Sequence, residues 1–395
     1  MITFDQASAL IAGVAKPLGR ERVTLGDAHG RVLAAPVIAR LDSPERDCSA
    51  MDGYAVRESD VAVLPARLRL AGSASPGREY SGALDPGDAV RVFTGAFVPP
   101  GTERVIVQEL ASPDGDHVVF DAPHGASRHI RRQASDFRRG DRLLVAGALL
   151  GPRALVAAAA ADIAEVEAWR RPIVAIASTG DELVDPGQAL DRCGAIPESI
   201  SLGVTALARD WQARIGVRCR LADDLDAMQA AALELVEGSD LVVVTGGASV
   251  GERDHAKAMF DPFGLELIFS TVAIKPGKPA WLGRVRGTLV LGLPGNPTSA
   301  MVVARLFLAP LLAGLGGREP DCALAWRSGT LAAPLSACGD RETFVRAVFR
   351  HGEVLSLENQ ESSAQKSLAE AELLVRRHAG APGAAAGDEV EIIDF

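Results

Sequence analysis

Three glycine-bearing segments between residues 178 and 300 combine residue types that hold oxyanions: STGDEL at 178–183, TGGASVGERDH at 245–255 and GLPGNPTSA at 292–300. In the first, Thr179 and Gly180 can turn the chain and present backbone N–H groups to an anion, with Asp181 and Glu182 adding carboxylates. An ordinary turn with an acidic helix cap fits the same residues. The second places Thr245, Gly246, Gly247 and Ser249 before Glu252 and Asp254, and a glycine-rich cradle followed by carboxylates suits a phosphate ester held with a divalent metal. Between them, AIKPGKP sets Lys275 and Lys278 around Pro276 and Gly277. Pro276 and Pro279 reduce the entropy lost in aiming two ammonium groups at one anion; two solvated surface lysines are the plain alternative. In the third segment Pro294, Gly295, Asn296 and Pro297 precede a helix, so Thr298 and Ser299 fall at or near an N-terminus able to hold an oxyanion. A rigid helix start reads equally from that run.

The elements that must position these loops follow from periodicity. Buried strands PIVAIAS, DLVVVTGG and GTLVLGLPG each end in a glycine-bearing loop, with the helices SLGVTALARDWQ and LDAMQAAALELVEG between them. That alternation predicts an open, largely parallel α/β domain over residues 172–318, which binds ligands at the carboxyl ends of its strands. Before it, residues 4–15 have helical spacing ended near Pro17, and residues 43–142 alternate apolar and polar positions between Gly and Pro turns, as a small β-rich domain does. Residues 1–42 and 143–171 flank that β-rich stretch. From 319 to 395 short strands such as ETFVRAVFR and DEVEIIDF predict a second small β domain.

Composition narrows the function. The chain has 395 residues, 48% hydrophobic and 23% charged, which is a globular balance across several domains. A net charge of −10 argues against a protein that coats nucleic acid or an anionic membrane. Five scattered cysteines form no CxxC pair or zinc spacing, fitting reduced thiols in a cytoplasmic protein. The N-terminus lacks a basic signal-peptide region, and no uncharged apolar run is long enough to span a bilayer.

Taken together the motifs resemble the molybdopterin molybdenumtransferase family. SAMDGYAVR at 49–57, RVFTGAFVPPG at 91–101, the IRR…D pattern from Ile130 to Asp136, STGDEL, TGGASVGERDH, AIKPGKP and GLPGNPTSA occur in family order along essentially the whole chain. The resemblance implies an elongated multidomain homodimer of four domains: a discontinuous N-terminal domain of residues 1–42 and 143–171, the β-rich 43–142, a molybdopterin-binding α/β domain over 172–318 and a C-terminal β-barrel-like domain over 319–395. It implies a cytoplasmic transferase of molybdenum cofactor biosynthesis that takes adenylylated molybdopterin and molybdate with a divalent cation such as magnesium. The products are molybdenum cofactor and AMP, and the molybdopterin adenylyltransferase is an expected partner.

Carried over by matching motif, the acidic set is Asp52, Asp136, Glu182, Asp223 and Asp254, with Glu182 and Asp254 as metal ligands. Thr94 and Arg131 match substrate-binding positions, beside Thr179, Gly180, Gly246, Gly247, Ser249, Pro294, Gly295 and Asn296. Lys275, Lys278, Pro279, Ser299, Arg346 and Ser362 match the molybdate side, where two ammonium groups, a guanidinium and hydroxyls suit a tetrahedral dianion. A dimer would let the partner's second domain complete the pocket. Several positions depart from the usual family residues: Cys48 stands for Asn, Ala134–Ser135 for Gly–Glu, Glu198 for Asp and Ile200 for Asn, and Ala371–Glu372 replaces part of an Ala-Asn-Gly run. Loss of the amide at 200 removes donors near the pterin or nucleotide. A non-catalytic molybdopterin-binding paralogue, a scaffold, and tungstate in place of molybdate are the alternatives.

Overall fold

Parallel strands covered on both faces read as unbroken apolar runs, and the three such runs of this chain form the centre of one sheet. The structure, a computed structural model, describes residues 1–246 and 255–395. Gly247, Ser249 and Asp254 therefore lie outside the described residues. The chain divides into two units: residues 1–22, 30–34 and 167–395 form the first, and 23–29 with 35–166 the second.

The first unit opens with helix α1 (Phe4–Val14), where Thr3 and Gln6 make a reciprocal capping box and Phe4, Ala7 and Ile11 form the buried stripe. The chain later enters β1 (Ile173–Thr179), the short pair β2 (Leu183–Val184) and β3 (Ile196–Pro197), α2 (Ile200–Asp210), β4 (Arg214–Leu221), α3 (Leu225–Glu237) and β5 (Leu241–Thr245). It continues through β6 (Glu266–Phe269), β7 (Ile274–Lys275), β8 (Trp281–Val285) and β9 (Thr288–Leu293). The α/β sheet runs β4-β1-β5-β9-β8-β6. Its first four strands are parallel and β8 and β6 antiparallel. The helices cover it with stripes such as Val204 and Ala208 on α2 and Met228, Ala232, Leu235 and Val236 on α3. Asp224 caps α3 by accepting from Ala227 N at 3.0 Å.

After β9 come α4 (Pro297–Val303), a π turn (Ala304–Leu308) and α5 (Ala309–Leu315). The π turn falls just before Pro310, whose ring has no N–H for the helical ladder. This 19-residue stretch is apolar enough to cross a membrane by length and composition, yet 89% of its apolar window is buried inside the protein. It is a core helix. Phe307 packs with Phe4, which also meets Phe344 at 5.1 Å between ring centroids. Each such buried aromatic contributes about 1.5–3 kcal/mol.

The C-terminal sheet comprises β10 (Arg327–Thr330), β11 (Glu342–Arg350), β12 (Glu353–Ser356), β13 (Leu373–Arg377) and β14 (Glu389–Asp394), with the short helix α6 (Gln365–Glu370) before β13. It also takes in β7, in the order β7-β11-β13-β14-β10, and β12 pairs with β11. Ile274 pairs with Glu342 and Lys275 with Thr343. The lysine-bearing turn, expected within the α/β stretch, is thus bonded to the C-terminal sheet.

The second unit is built on a six-stranded sheet in the order 104–107, 53–56, 88–92, 66–74, 117–120 and 112–114. Period-two alternation sends Tyr54, Val56, Leu68, Ile106 and Phe120 to one core and Ala55, Val90, Val92 and Val105 to the other.

Candidate functional site

Register brings the motif loops of the first unit together. Ser178 pairs with Thr245 across β1 and β5, and Thr245 with Leu293 across β5 and β9. Thr179–Gly180, Gly246 and Pro294–Gly295 therefore leave the sheet side by side at its carboxyl edge, the place such sheets offer to ligands. Thr245 Oγ1 donates to Ser178 Oγ at 3.1 Å, and Thr179 Oγ1 to the Thr245 carbonyl at 3.4 Å. Gly246 has φ +91°, and a Cβ there would sit 2.6 Å from the Thr179 carbonyl oxygen, so only glycine lets the two backbones approach. A Cβ on Gly295 would lie 3.5 Å from the Gly246 Cα, which measures how closely the third loop joins them.

Carboxylates stand at one side of this edge. The Glu182 side chain folds back over Gly180, within 2.7 Å of where a Cβ would begin. Asp223 N donates to Asp181 Oδ1 at 3.1 Å, and Gly180 N to the Leu221 carbonyl at 3.3 Å. The two bonds hold the Asp223 turn against the Thr179–Glu182 loop.

Cations and hydroxyls mark the other side. Arg346 lies on β11, three residues beyond the partner of Lys275, and is 0% exposed. Its Nη2 donates to the Asn359 and Glu361 carbonyls at 2.9 and 3.1 Å, while Nε and Nη1 are buried with no hydrogen-bond partner among the described residues. Burial pushes this guanidinium below its ordinary value, because desolvation penalises the charged form. Gln360 fastens the strand, accepting from Arg346 N at 3.0 Å and donating to the Arg346 carbonyl at 2.9 Å. The next turn presents Ser362, whose hydroxyl accepts from Asn296 Nδ2 at 2.9 Å. Thr298 Oγ1 donates to the Ala364 carbonyl at 3.4 Å, and Ser299 is buried in the first turn of α4. Lys275 and Lys278 are exposed on either side of Pro276–Gly277, and Pro279 follows.

In the second unit, Asp52 Oδ1 accepts from Thr94 N at 2.7 Å and from Thr94 Oγ1 at 2.8 Å. These donors, the backbone one first, hold the Asp52 carboxyl below its usual range, with Arg91 adding to the effect. Arg131 is exposed opposite Cys48, in the pairing of 130–131 with 48–49. Burial raises the Cys48 thiol. Asp136 is exposed, its N–H donating to the Ser43 carbonyl at 3.0 Å. Ala134, in the same turn, adopts φ +54°, a left-handed conformation that favours glycine.

Sequence reasoning missed Ser178, Gln360 and the role of Glu198. Ser178 opens the quoted STGDEL segment and Gln360 lies two residues before Ser362, yet nothing in the sequence sets either apart from its neighbours. Glu198 was noted only as a departure; it proves to be buried, with Ser178 and Ser201 as partners.

Comparison with known proteins agrees along the chain. The MoeA N-terminal region (domains I and II) matches residues 2–161, a probable molybdopterin binding domain matches 175–314, and the MoeA C-terminal region (domain IV) matches 328–395. A molybdopterin molybdenumtransferase of Haemophilus influenzae is 36% identical over 321 residues, covering 81% of this chain and 79% of that protein. Molybdopterin molybdenumtransferase 2 of Mycobacterium tuberculosis is 34% identical over 386 residues, 94% of each. The crystal structure of the molybdopterin biosynthesis MoeA protein from Pyrococcus horikoshii superposes with a TM-score of 0.84 at 26% identity, covering 100% of this chain and 99% of that one.

Proposed function

This chain belongs to the molybdopterin molybdenumtransferase family, and from that premise we propose that it inserts molybdate into adenylylated molybdopterin, yielding molybdenum cofactor and AMP. The observation that carries the reading is Arg346, a wholly buried guanidinium with two nitrogens that have no partner among the described residues, beside the Asn296–Ser362 bond. An uncompensated buried cation costs several kcal/mol, and an incoming dianion offsets that cost. Lys275, Lys278, Pro279, Ser299 and Ser362 would complete the molybdate shell.

At the other end, the backbone N–H groups around Thr179, Gly180 and Gly246, with Pro294, Gly295 and Asn296, would orient the pterin and its phosphate. Glu182 makes no ion pair with a described residue, and its free oxygens suit a hard divalent cation. Glu182, with Asp254, would hold magnesium, which when bound neutralises phosphate charge and acidifies a water. Asp223 would orient that water's approach, and Asp52, Asp136, Thr94 and Arg131 would serve the same reaction. The protein would act as a cytoplasmic homodimer supplied by the molybdopterin adenylyltransferase.

The test is AMP release from adenylylated molybdopterin by the purified protein, with and without molybdate, followed by reconstitution of an apo-molybdoenzyme. Molybdate-dependent AMP release with active reconstituted enzyme is expected. Tight pterin binding without molybdate-dependent release would make the chain a binding paralogue. Light scattering checks the assembly: an active species that is strictly monomeric contradicts the dimer.

A further inference from the structure

Glu198 is a carboxylate only 8% exposed, and the donors that hold it are uncharged. Its Oε1 accepts from Ser178 Oγ at 3.1 Å and from Ser201 N at 2.8 Å, and its Oε2 accepts from the Ser201 hydroxyl. A carboxylate kept from water costs free energy unless its lone pairs are filled, and here they are filled from two elements, the end of β1 and the first turn of α2.

The backbone around Glu198 shows what this achieves. β3 runs parallel to β2, with Leu183 opposite Ile196 and Val184 opposite Pro197. Ile196 N donates to the Glu182 carbonyl and Glu198 N to the Val184 carbonyl, both at 2.8 Å. The chain thus leaves the sheet after Thr179, passes through Gly180 and Glu182, and returns so that the Glu198 side chain grips the hydroxyl of Ser178. Ser178 also accepts from Thr245 Oγ1 at 3.1 Å, which extends the grip to the strand that leads into Gly246. Residues 178–201 form a ring, and Glu198 is its clasp.

We propose that Glu198 is a positioning residue for molybdate insertion, its carboxylate fixing the ring that carries Thr179, Gly180 and Glu182 so that their polar groups meet the substrate pyrophosphate in one geometry. The inference rests on the function proposed above. Reach is part of it: the side chain spans from the sheet to the helix, and Glu198→Asp, shorter by about 1.5 Å, loses one anchorage. Glu198→Gln keeps the reach, since its amide oxygen still accepts from Ser178 and Ser201 N while the Ser201 hydroxyl turns to accept from the amide nitrogen.

Two measurements on the full-length protein test this. Hydrogen exchange should quicken at the amides of Leu183, Ile196 and Glu198 in Glu198→Ala and Glu198→Asp by at least about tenfold, with kcat/KM for adenylylated molybdopterin falling roughly 10- to 100-fold, the loss expected of a misplaced site. Glu198→Gln should recover most of both. Val204→Ala, which opens a cavity elsewhere on α2, serves as the control: it lowers the melting temperature and leaves the ring amides and kcat/KM near the parent values. Where Glu198→Ala does not fold, Ser178→Ala carries the test in the same direction. Unchanged exchange at the ring amides in the clasp variants overturns the proposal, as does Glu198→Gln no better than Glu198→Asp, or Val204→Ala as impaired as either. A parent protein without activity would instead remove the proposed function, while the exchange comparison would still decide the clasp.

Discussion

The Asn296 amide donates to the Ser362 hydroxyl at 2.9 Å, joining the start of the long core helix to the turn whose Glu361 carbonyl accepts from Arg346 of the C-terminal sheet. A hydrogen bond of this kind contributes about 0.5–1.5 kcal/mol net. A double-mutant cycle with Asn296→Ala and Ser362→Ala should therefore return a coupling of about 1 kcal/mol in chemical denaturation. Additive single-mutant effects would mean that the bond is not formed in solution.

Arg346 lets stability and function be separated. Replacing a buried charge by an apolar residue is commonly neutral or stabilising, so Arg346→Met should change unfolding free energy by no more than about 1–2 kcal/mol. The molybdate concentration for half-maximal insertion should rise at least about tenfold, equivalent to one lost charge-assisted hydrogen bond of about 1.5–3 kcal/mol. Lys278→Ala should shift it in the same direction, less strongly because that lysine is exposed. An unaltered molybdate dependence in both variants would take molybdate away from this end of the pocket.

Asp52 carries a prediction about pH. Its folded-state carboxyl is held below the ordinary carboxylate value by the Thr94 donors. Its contribution to stability is therefore fully present above that ordinary value and is lost as pH falls through the lower folded value. Thr94→Val removes the hydroxyl donor and keeps the backbone one, so the Asp52 carboxyl carbon should titrate at higher pH in NMR without returning fully to the ordinary value. An identical titration in both proteins would leave the side-chain bond without effect.

Ala134 holds φ +54°, a region that costs a residue with a Cβ roughly 1–2 kcal/mol. Glycine removes that strain and loses more freedom on folding, a counter-effect of about 0.4–1 kcal/mol. Ala134→Gly should thus raise the denaturation midpoint by a net few tenths of a kcal/mol to about 1 kcal/mol. A lower midpoint would show that the turn relaxes around alanine.

The central strands were legible because burial on both faces leaves a sequence with little but apolar residues to show, as in Leu241–Thr245 up to its last residue. Helix α1 was legible because the Phe4–Ala7–Ile11 stripe has helical spacing. Strand β4 was not read, although RIGVRCRL alternates: it lies at a sheet edge with its arginines exposed and lacks the unbroken apolar run that marks the central strands. Arg346 was recognised as a site residue, but its burial was hidden: in ETFVRAVFR it shares a face with Phe344 and Val348, yet Ala347 on the other face is buried too. A period-two pattern tells in from out only when one face is wet. Glu198 was hardest, because its burial depends on a return of the chain from 182 to 196 that no local periodicity encodes.

The core of the first unit gathers Phe4 and Ile11 from the beginning of the chain with Phe344, Leu374 and Ile393 from its end. Asp5 is likewise ion-paired to Arg376 at 2.6 Å. A ribosome delivers these partners far apart in time. The first helix emerges without the surfaces that cover it, and the apolar stretch 297–315 emerges before the strands of the C-terminal sheet exist. The nascent chain is thus most exposed to aggregation in the interval between that stretch and the sheet that covers it, and its need for a chaperone should be greatest there.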